Sequence, residues 1–157
     1  MKKLVFLFFL FLTFFIQAQE KTIVKNSEVT IPIGKKVILK PQIQGDKMVS
    51  FEITYEQNIS EKVDMMKILR NFEKDSTTDN SIEFLFSEGQ MMNNPYFILK
   101  TIQKTGKQMT FKAKIRLKGS PLYSSTSIMP IVSNSMSLEQ WQNGIDSIFL
   151  YDFELSN

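Results

Sequence analysis

The sequence predicts an all-β fold: a single antiparallel β-sandwich, immunoglobulin-like or jelly-roll-like, with one short helix. Three observations carry this. About eight short runs alternate polar and apolar residues with the period of two of a half-buried strand. Clusters of Gly, Pro, Asn, Asp and Ser interrupt those runs roughly every ten residues, the spacing of sandwich turns. Only one stretch, 61–72, changes to a helical period.

The chain opens with Lys2-Lys3, then thirteen largely apolar residues at 4–16, then the small and polar residues Gln17-Ala18-Gln19. A charged start, a short apolar core and a small exit residue predict a secretory signal peptide over 1–18, cleaved after Ala18. The core is too short for a transmembrane helix, which needs about 20 residues. The expected mature chain, 19–157, is long enough for one buried core, and no repeat or linker divides it.

Residues 28–33 and 36–43 alternate on either side of Gly34 and read as two strands. Pro32 and Pro41 each lack a ladder donor, which places both strands at edges. After a turn at Gln44-Gly45-Asp46, residues 48–55 alternate again, Val49, Phe51, Ile53 and Tyr55 on one side and Met48, Ser50, Glu52 and Thr54 on the other. Ser60 is the expected N-cap of the helix, with Glu61 and Asp64 in its first turn and Lys67 and Arg70 late. Met65, Ile68, Leu69 and Phe72 would form its apolar stripe. A loop over 71–81 leads to a strand at 82–86 that should stop at Ser87-Glu88-Gly89, and 90–95 reads as a loop. Two β-rich runs then flank Thr105-Gly106 and predict a tight hairpin. Residues 119–126 read as a turn-rich connection, 127–132 as a short strand and 133–143 as a loop. Residues 145–155 form the last strand, with Ile145, Ser147, Phe149, Tyr151 and Phe153 to one side and a bulge near Asp152.

Composition removes whole classes of chemistry. There is no Cys and no His. Ser-His-Asp and Cys-His relays are therefore impossible, and tetrahedral zinc sites lose their preferred ligands. No disulfide can form, and no Cys follows the leader to carry a lipid anchor. An enzyme would have to rest on carboxylates, as glycosidases do. No cofactor or metal is expected.

Two of the 19 Lys and Arg residues lie in the leader, so 17 face 16 acids in the remainder. That near-neutral balance gives no reason to expect a nucleic acid. The distribution is less even. Seven basic residues and no acid occur in 100–118; four acids (Glu139, Asp146, Asp152, Glu154) and no base occur from 119 on.

Pairing Lys104 with Lys107 in the expected hairpin puts Ile98, Lys100 and Ile102 on the core side with Met109, Phe111, Ala113, Ile115 and Leu117. The opposite face then carries Lys112, Lys114 and Arg116 beside exposed Phe97 and Leu99. Cations at every second position lie ~7 Å apart. Such a row suits an acidic polysaccharide, with Arg116 able to grip a carboxylate bidentately. The same row also fits a solvated face, an edge guard against aggregation, or partners for the C-terminal acids. Trp141, in a polar segment, is either a stacking platform for a sugar ring or a cap on the core. Glu139 and Asp146 flank it as a possible carboxylate pair. Asp75, Asp79 and Asn80 are oxygen ligands of the kind calcium takes, without EF-hand spacing.

Gly144-Ile-Asp-Ser-Ile-Phe-Leu-Tyr151 resembles the closing strand of galactose-binding-like carbohydrate modules, and Gly106-Lys-Gln-Met-Thr-Phe-Lys112 resembles a strand entry of the same modules. The stretch 29–39 is similar to the opening of a bacterial immunoglobulin-like domain. Together these strings cover about a quarter of the mature chain and imply a β-sandwich fold; no single family is identified. The expected function is a secreted or periplasmic, non-catalytic binding module for a polysaccharide or an envelope protein, without a stable membrane anchor once the leader is removed. Structural assembly through an edge strand is the alternative, and a carboxylate-based glycoside hydrolase the third.

Overall fold

The computed structural model describes residues 20–71, 77–92 and 94–157; the expected leader, Phe72 and Asp75 lie outside the described residues. Chain order is β1 (Ile23–Lys25), β2 (Glu28–Pro32), β3 (Lys35–Gln44), β4 (Lys47–Asn58), β5 (Val63–Asp64), α1 (Met65–Asn71), β6 (Ile82–Met91), β7 (Asn94–Gln103), β8 (Gln108–Leu117), β9 (Tyr123–Thr126), β10 (Met136–Trp141) and β11 (Ile145–Ser156). All pairings are antiparallel except that of β5 with β6.

The hydrogen-bonded strands fold into two layers. One runs β9-β8-β11-β2-β1, the other β4-β3-β6-β7-β10. They join where Glu154 of β11 pairs with Lys47 of β4 and the Leu155 N–H donates to the Asp46 carbonyl at 2.7 Å. Four phenylalanines lock the layers together. Phe51 and Phe153 meet edge to face at 4.8 Å between ring centroids, Phe111 stacks on Phe153 at 5.1 Å, and Phe84 stands edge-on to Phe111 at 5.8 Å. Each such pair adds about 0.5–1.5 kcal/mol beyond the area it buries.

β3 lies inside its layer, not at an edge, because β4 and β6 flank it. Yet β6 pairs only with Lys35–Leu39, so at Pro41 a single edge of β3 is still bonded. β2 is likewise interior, and Pro32 sits past the last residue that β1 reaches. Proline's missing donor therefore constrains the residue's position along a strand rather than the strand's place in the sheet. In β4 the strict alternation expected over 48–55 is broken by two register shifts, at Val49 and Thr54. The first brings Met48 and Phe51, three residues apart, to the same buried side.

The helix starts later than Ser60 predicts. Val63 and Asp64 first pair with Gly89 and Gln90, occupying the edge of β6 that β3 has left. Asp64 is the cap: its Oδ1 accepts hydrogen bonds from the Met66 and Lys67 N–H groups at 2.9 and 3.2 Å. Met65 is buried while Leu69 is exposed, so the apolar stripe is only partly used. β6 does not end at Ser87; it runs through to Met91, and Met91 pairs with Asn94.

The largest departure is at Thr105-Gly106. β7 pairs with β6 and β10, and β8 with β11 and β9, so the two runs lie in opposite layers and form an arch, not a hairpin. Gly106 has φ +77, as the turn signal requires, but that signal reports a reversal without naming its partner. The bonds a hairpin ladder would supply come from a side chain. Gln103 is fully buried; its Nε2 donates to the carbonyls of Lys107 (2.9 Å) and Val132 (2.6 Å). Its Oε1 accepts from the Thr105 N–H (2.9 Å) and hydroxyl (2.6 Å). The arch also reverses the expected faces of β7. Leu99, Thr101 and Gln103 are the buried inward residues and Phe97 packs against the core, while Lys100 and Ile102 point outward; Ile98 is fully buried, as expected, but outside the sandwich core, against Gly89.

β9 and β10 fall where a connection and a loop were expected. Both are edge strands with little apolar–polar alternation to reveal them, and β9 is half serine. The stretch 127–132 is not a strand; its backbone pairs with β8 at the isolated Met109–Ile131 bridge, and Ile131 joins the core. The bulge at Asp152 is present, with φ +57 and a register shift between Tyr151 and Glu154.

Replacing Gln103 with Met keeps the volume, strands the Val132 carbonyl and the Thr105 N–H, and leaves the Lys107 carbonyl only the long bond from the Thr105 hydroxyl at 3.3 Å. The expected loss is about 2–4 kcal/mol in urea denaturation, since each buried unsatisfied group costs about 1–3 kcal/mol. A loss below about 1 kcal/mol would mean that the arch does not depend on this amide.

Candidate functional site

β8 turns Met109, Phe111 and Ala113 into the core. Lys112, Lys114 and Arg116 therefore stand on the outer face of their layer. On the neighbouring β11, Ile148 and Leu150 are buried, so Phe149 and Tyr151 point outward beside them. The register aligns Lys112 with Tyr151, Lys114 with Phe149, and Arg116 with Ser147 on one side and Tyr123 of β9 on the other.

The result is a mixed cationic and aromatic face. Phe149 stacks on Tyr151 at 5.3 Å, and Tyr123 meets Phe149 edge to face at 6.1 Å. The Lys114 ammonium lies 5.4 Å from the centre of the Tyr151 ring, and the Arg116 guanidinium 5.8 Å from that of Tyr123, both within cation–π range. Tyr123 is itself held by a 2.7 Å hydrogen bond between its hydroxyl and that of Ser147.

The three cations differ in their partners. Lys112 pairs with Asp152 at 2.8 Å in the open. This contact raises the Lys112 pKa above its ordinary value and lowers that of Asp152. Arg116 is 3.6 Å from the Glu20 carboxylate, an ion pair beyond good hydrogen-bond length. Lys114 makes no ion pair among the described residues. One of the four C-terminal acids thus does pair with the row, and the row keeps at least one uncompensated charge.

The outer face of the other layer is different. Glu83 accepts Lys36 at 2.9 Å and Lys100 at 2.7 Å, so those cations are spoken for. Burial alone would push the Glu83 carboxyl up. The hydrogen bonds and charges of Lys100 and Lys36 outweigh it and hold the group below its ordinary 4.5.

Trp141 is not on the Lys112 face. It lies on β10 opposite Phe97, half-buried against the core, and its indole N–H donates to the Thr126 hydroxyl at 2.9 Å. That bond ties the edge of one layer to the edge of the other. Glu139 accepts the Met129 N–H at 3.0 Å, while Asp146 lines a cavity at the β2–β3 turn in the opposite layer. Asp79 caps the Ser81 N–H at 2.8 Å. Among the described residues no cluster of three or more carboxylates could hold a metal ion.

Tyr123, Phe149 and Tyr151 were not singled out as site residues by sequence. The shared face of Phe149 and Tyr151 was readable from the alternation in 145–155, but their position beside the Lys row required the β8–β11 pairing. Nothing in the serine-rich run around Tyr123 announces a strand.

Compared with protein-family models, with curated proteins and with solved structures, the chain shows no match to any.

The Glu83 cluster has a defined pH signature. A carboxyl lowered by folding stabilises above its unfolded pKa of about 4.5, and that contribution is lost as the pH falls through the lower folded value. Glu83→Gln should cost about 1–3 kcal/mol near neutrality, as for hydrogen bonds to charged groups. The gap from the parent should close as the pH is taken down through the acid range. A gap that stays constant with pH, read from urea midpoints, would rule this assignment out.

Proposed function

We propose that this protein is an exported, non-catalytic module that binds an acidic polysaccharide through the outer face of β8 and β11. The observation that carries the reading is the interleaving of Lys112, Lys114 and Arg116 with Tyr123, Phe149 and Tyr151. Cations spaced along a strand match carboxylates repeated along a polymer, and a guanidinium can hold one of them bidentately. Aromatic rings beside them offer flat apolar surface with little entropy to lose, since the stacked and hydrogen-bonded rings are already fixed. The leader read from the sequence supports export, where surface and matrix glycans lie.

Assembly through an edge strand has less support. β4 is the longest edge strand among the described residues, and its two bulges and its charges at Glu52 and Glu56 oppose edge-to-edge pairing.

A panel of acidic and neutral polysaccharides at low and physiological salt tests the reading. Acidic chains should bind, and more weakly at higher salt, because exposed charges are screened over about 8–10 Å. The triple change Lys112→Ser, Lys114→Ser, Arg116→Ser should weaken binding by about tenfold or more, the equivalent of about 1.4 kcal/mol. Tyr151→Ala should weaken it several-fold, and Trp141→Ala should leave it unchanged if the protein stays folded. Binding indifferent to the triple change, or no acidic chain bound, would remove the proposal.

A further inference from the structure

The cationic row ends at a cavity. Arg116, its last member, also lines a hollow of about 340 Å³ at the β2–β3 turn, within the size range of small-molecule sites. Pro32 and Ile33 give the hollow an apolar wall. Lys35, Asn58 and Asp146 supply its polar groups, and Glu20 stands at Arg116.

The walls are rigid. Gly34 has φ +77, and a Cβ there would meet the Ile59 carbonyl at 3.0 Å. Its N–H donates to Phe86, its carbonyl accepts from Ile59, and the Ile33 N–H donates to Asp146, all at 2.8–2.9 Å. This clamped turn passes from one layer to the other beside the Arg116 end of the row, so the cavity it lines lies next to the last cation rather than along the row.

The hydrogen-bonding capacity inside is only partly used. Lys35 is 6% exposed and spends its ammonium on Asn58 at 2.5 Å and Glu56 at 3.4 Å, leaving one of three N–H donors. The Arg116 Nε is buried without a hydrogen-bond partner. Among the described residues the Asp146 carboxylate makes no hydrogen bond or ion pair. A guanidinium held only by a long ion pair, a spare ammonium N–H and a free carboxylate acceptor fit one kind of group: a sugar bearing a carboxylate and hydroxyls.

We infer that this cavity receives the terminal uronic-acid residue of the acidic polysaccharide, so that the protein recognises chain ends. The sugar carboxylate takes Arg116 and displaces Glu20, which occupies that charge in the free protein. Its hydroxyls donate to Asp146 and accept from Lys35, with the ring against Pro32 and Ile33. This inference rests on the reading of the β8–β11 face as an acidic-glycan surface.

The test uses purified protein, tri-galacturonate and long polygalacturonate, with affinities measured by calorimetry. The trisaccharide should bind the parent, and Asp146→Asn should weaken it by about tenfold or more while changing polymer affinity by less than about threefold. Glu20→Gln, at an exposed position, should tighten trisaccharide binding about two- to fivefold by removing the competing carboxylate. Lys112→Ser should weaken the polymer and spare the trisaccharide. A trisaccharide that does not bind, or that binds equally to the parent, Asp146→Asn and Glu20→Gln, overturns the chain-end site. If the polymer still binds in that case, the face stands and only the cavity assignment falls; if neither ligand binds, both fall.

Discussion

β11 is bonded along one edge to β8 for nearly its whole length, and along the other first to β2 and then to β4. The two layers therefore share a strand, and the direction of each of its side chains fixes what both layers can do. Two bulges set those directions. Buried residues on a regular strand recur every second position, but here Ile145 and Ile148 are three apart, and so are Leu150 and Phe153. Each extra residue resets the phase, so the core receives Ile148, Leu150, Phe153 and Leu155 while Phe149 and Tyr151 face out. The bulged residues become available as well: Asp146 lines the cavity, and Asp152 reaches Lys112. Core packing, the aromatic face and the cavity wall are consequences of one strand's phase.

Among sequence signals, some local ones survived, and the long-range pairings did not. The bulge at Asp152 was legible because the apolar residues of 145–155 fail to alternate. The reversal at Thr105-Gly106 was legible because glycine is needed at positive φ. Which strand each run then joins was not, since a hairpin and an arch use the same turn chemistry. The ladders of β7 with β6 and β10, and of β8 with β11 and β9, separate the two runs, and a glutamine in a strand gives no hint that its amide will fasten the arch between them. The faces of β7 were misassigned for the same reason: Ile98, Lys100 and Ile102 look like a core set until Leu99 and Thr101 are seen facing Phe111's layer. Lys112, Lys114 and Arg116 were found because β8 alternates cleanly. Their aromatic neighbours were missed because adjacency across strands is set by register.

With no cysteine, the fold rests on packing and buried hydrogen bonds. The phenylalanine cluster provides the first, and the Gln103 bracket and the Trp141–Thr126 bond the second. The latter two act at opposite places: Gln103 fastens the arch inside, while the indole closes the open edge between β9 and β10. Only the indole bond joins two edge strands, β9 and β10. β9 in particular carries Tyr123 into the site, so the stability of an edge and the geometry of the face are coupled.

The two outer faces of the sandwich show why one is the better binding surface. Around Glu83, two ammonium groups converge on a single carboxylate, and the positive charge is largely satisfied within the protein. On the β8–β11 face each cation is separated from the next by a strand repeat and lies near rings rather than in a cluster of acids. A ring's quadrupole attracts a cation without neutralising it. Lys114 over Tyr151 thus remains an unspent charge held in position. Charge kept unpaired on a pre-ordered surface is what a polyanion can use, because binding then gains new ion pairs without first breaking old ones. The exceptions are Lys112, whose exposed bond to Asp152 must be shared or exchanged, and Arg116, whose longer pair with Glu20 must be displaced. Lys112 is also the member farthest along β8 from the cavity. The shorter ion pair of the row therefore lies away from the cavity, and the longer one lies beside it.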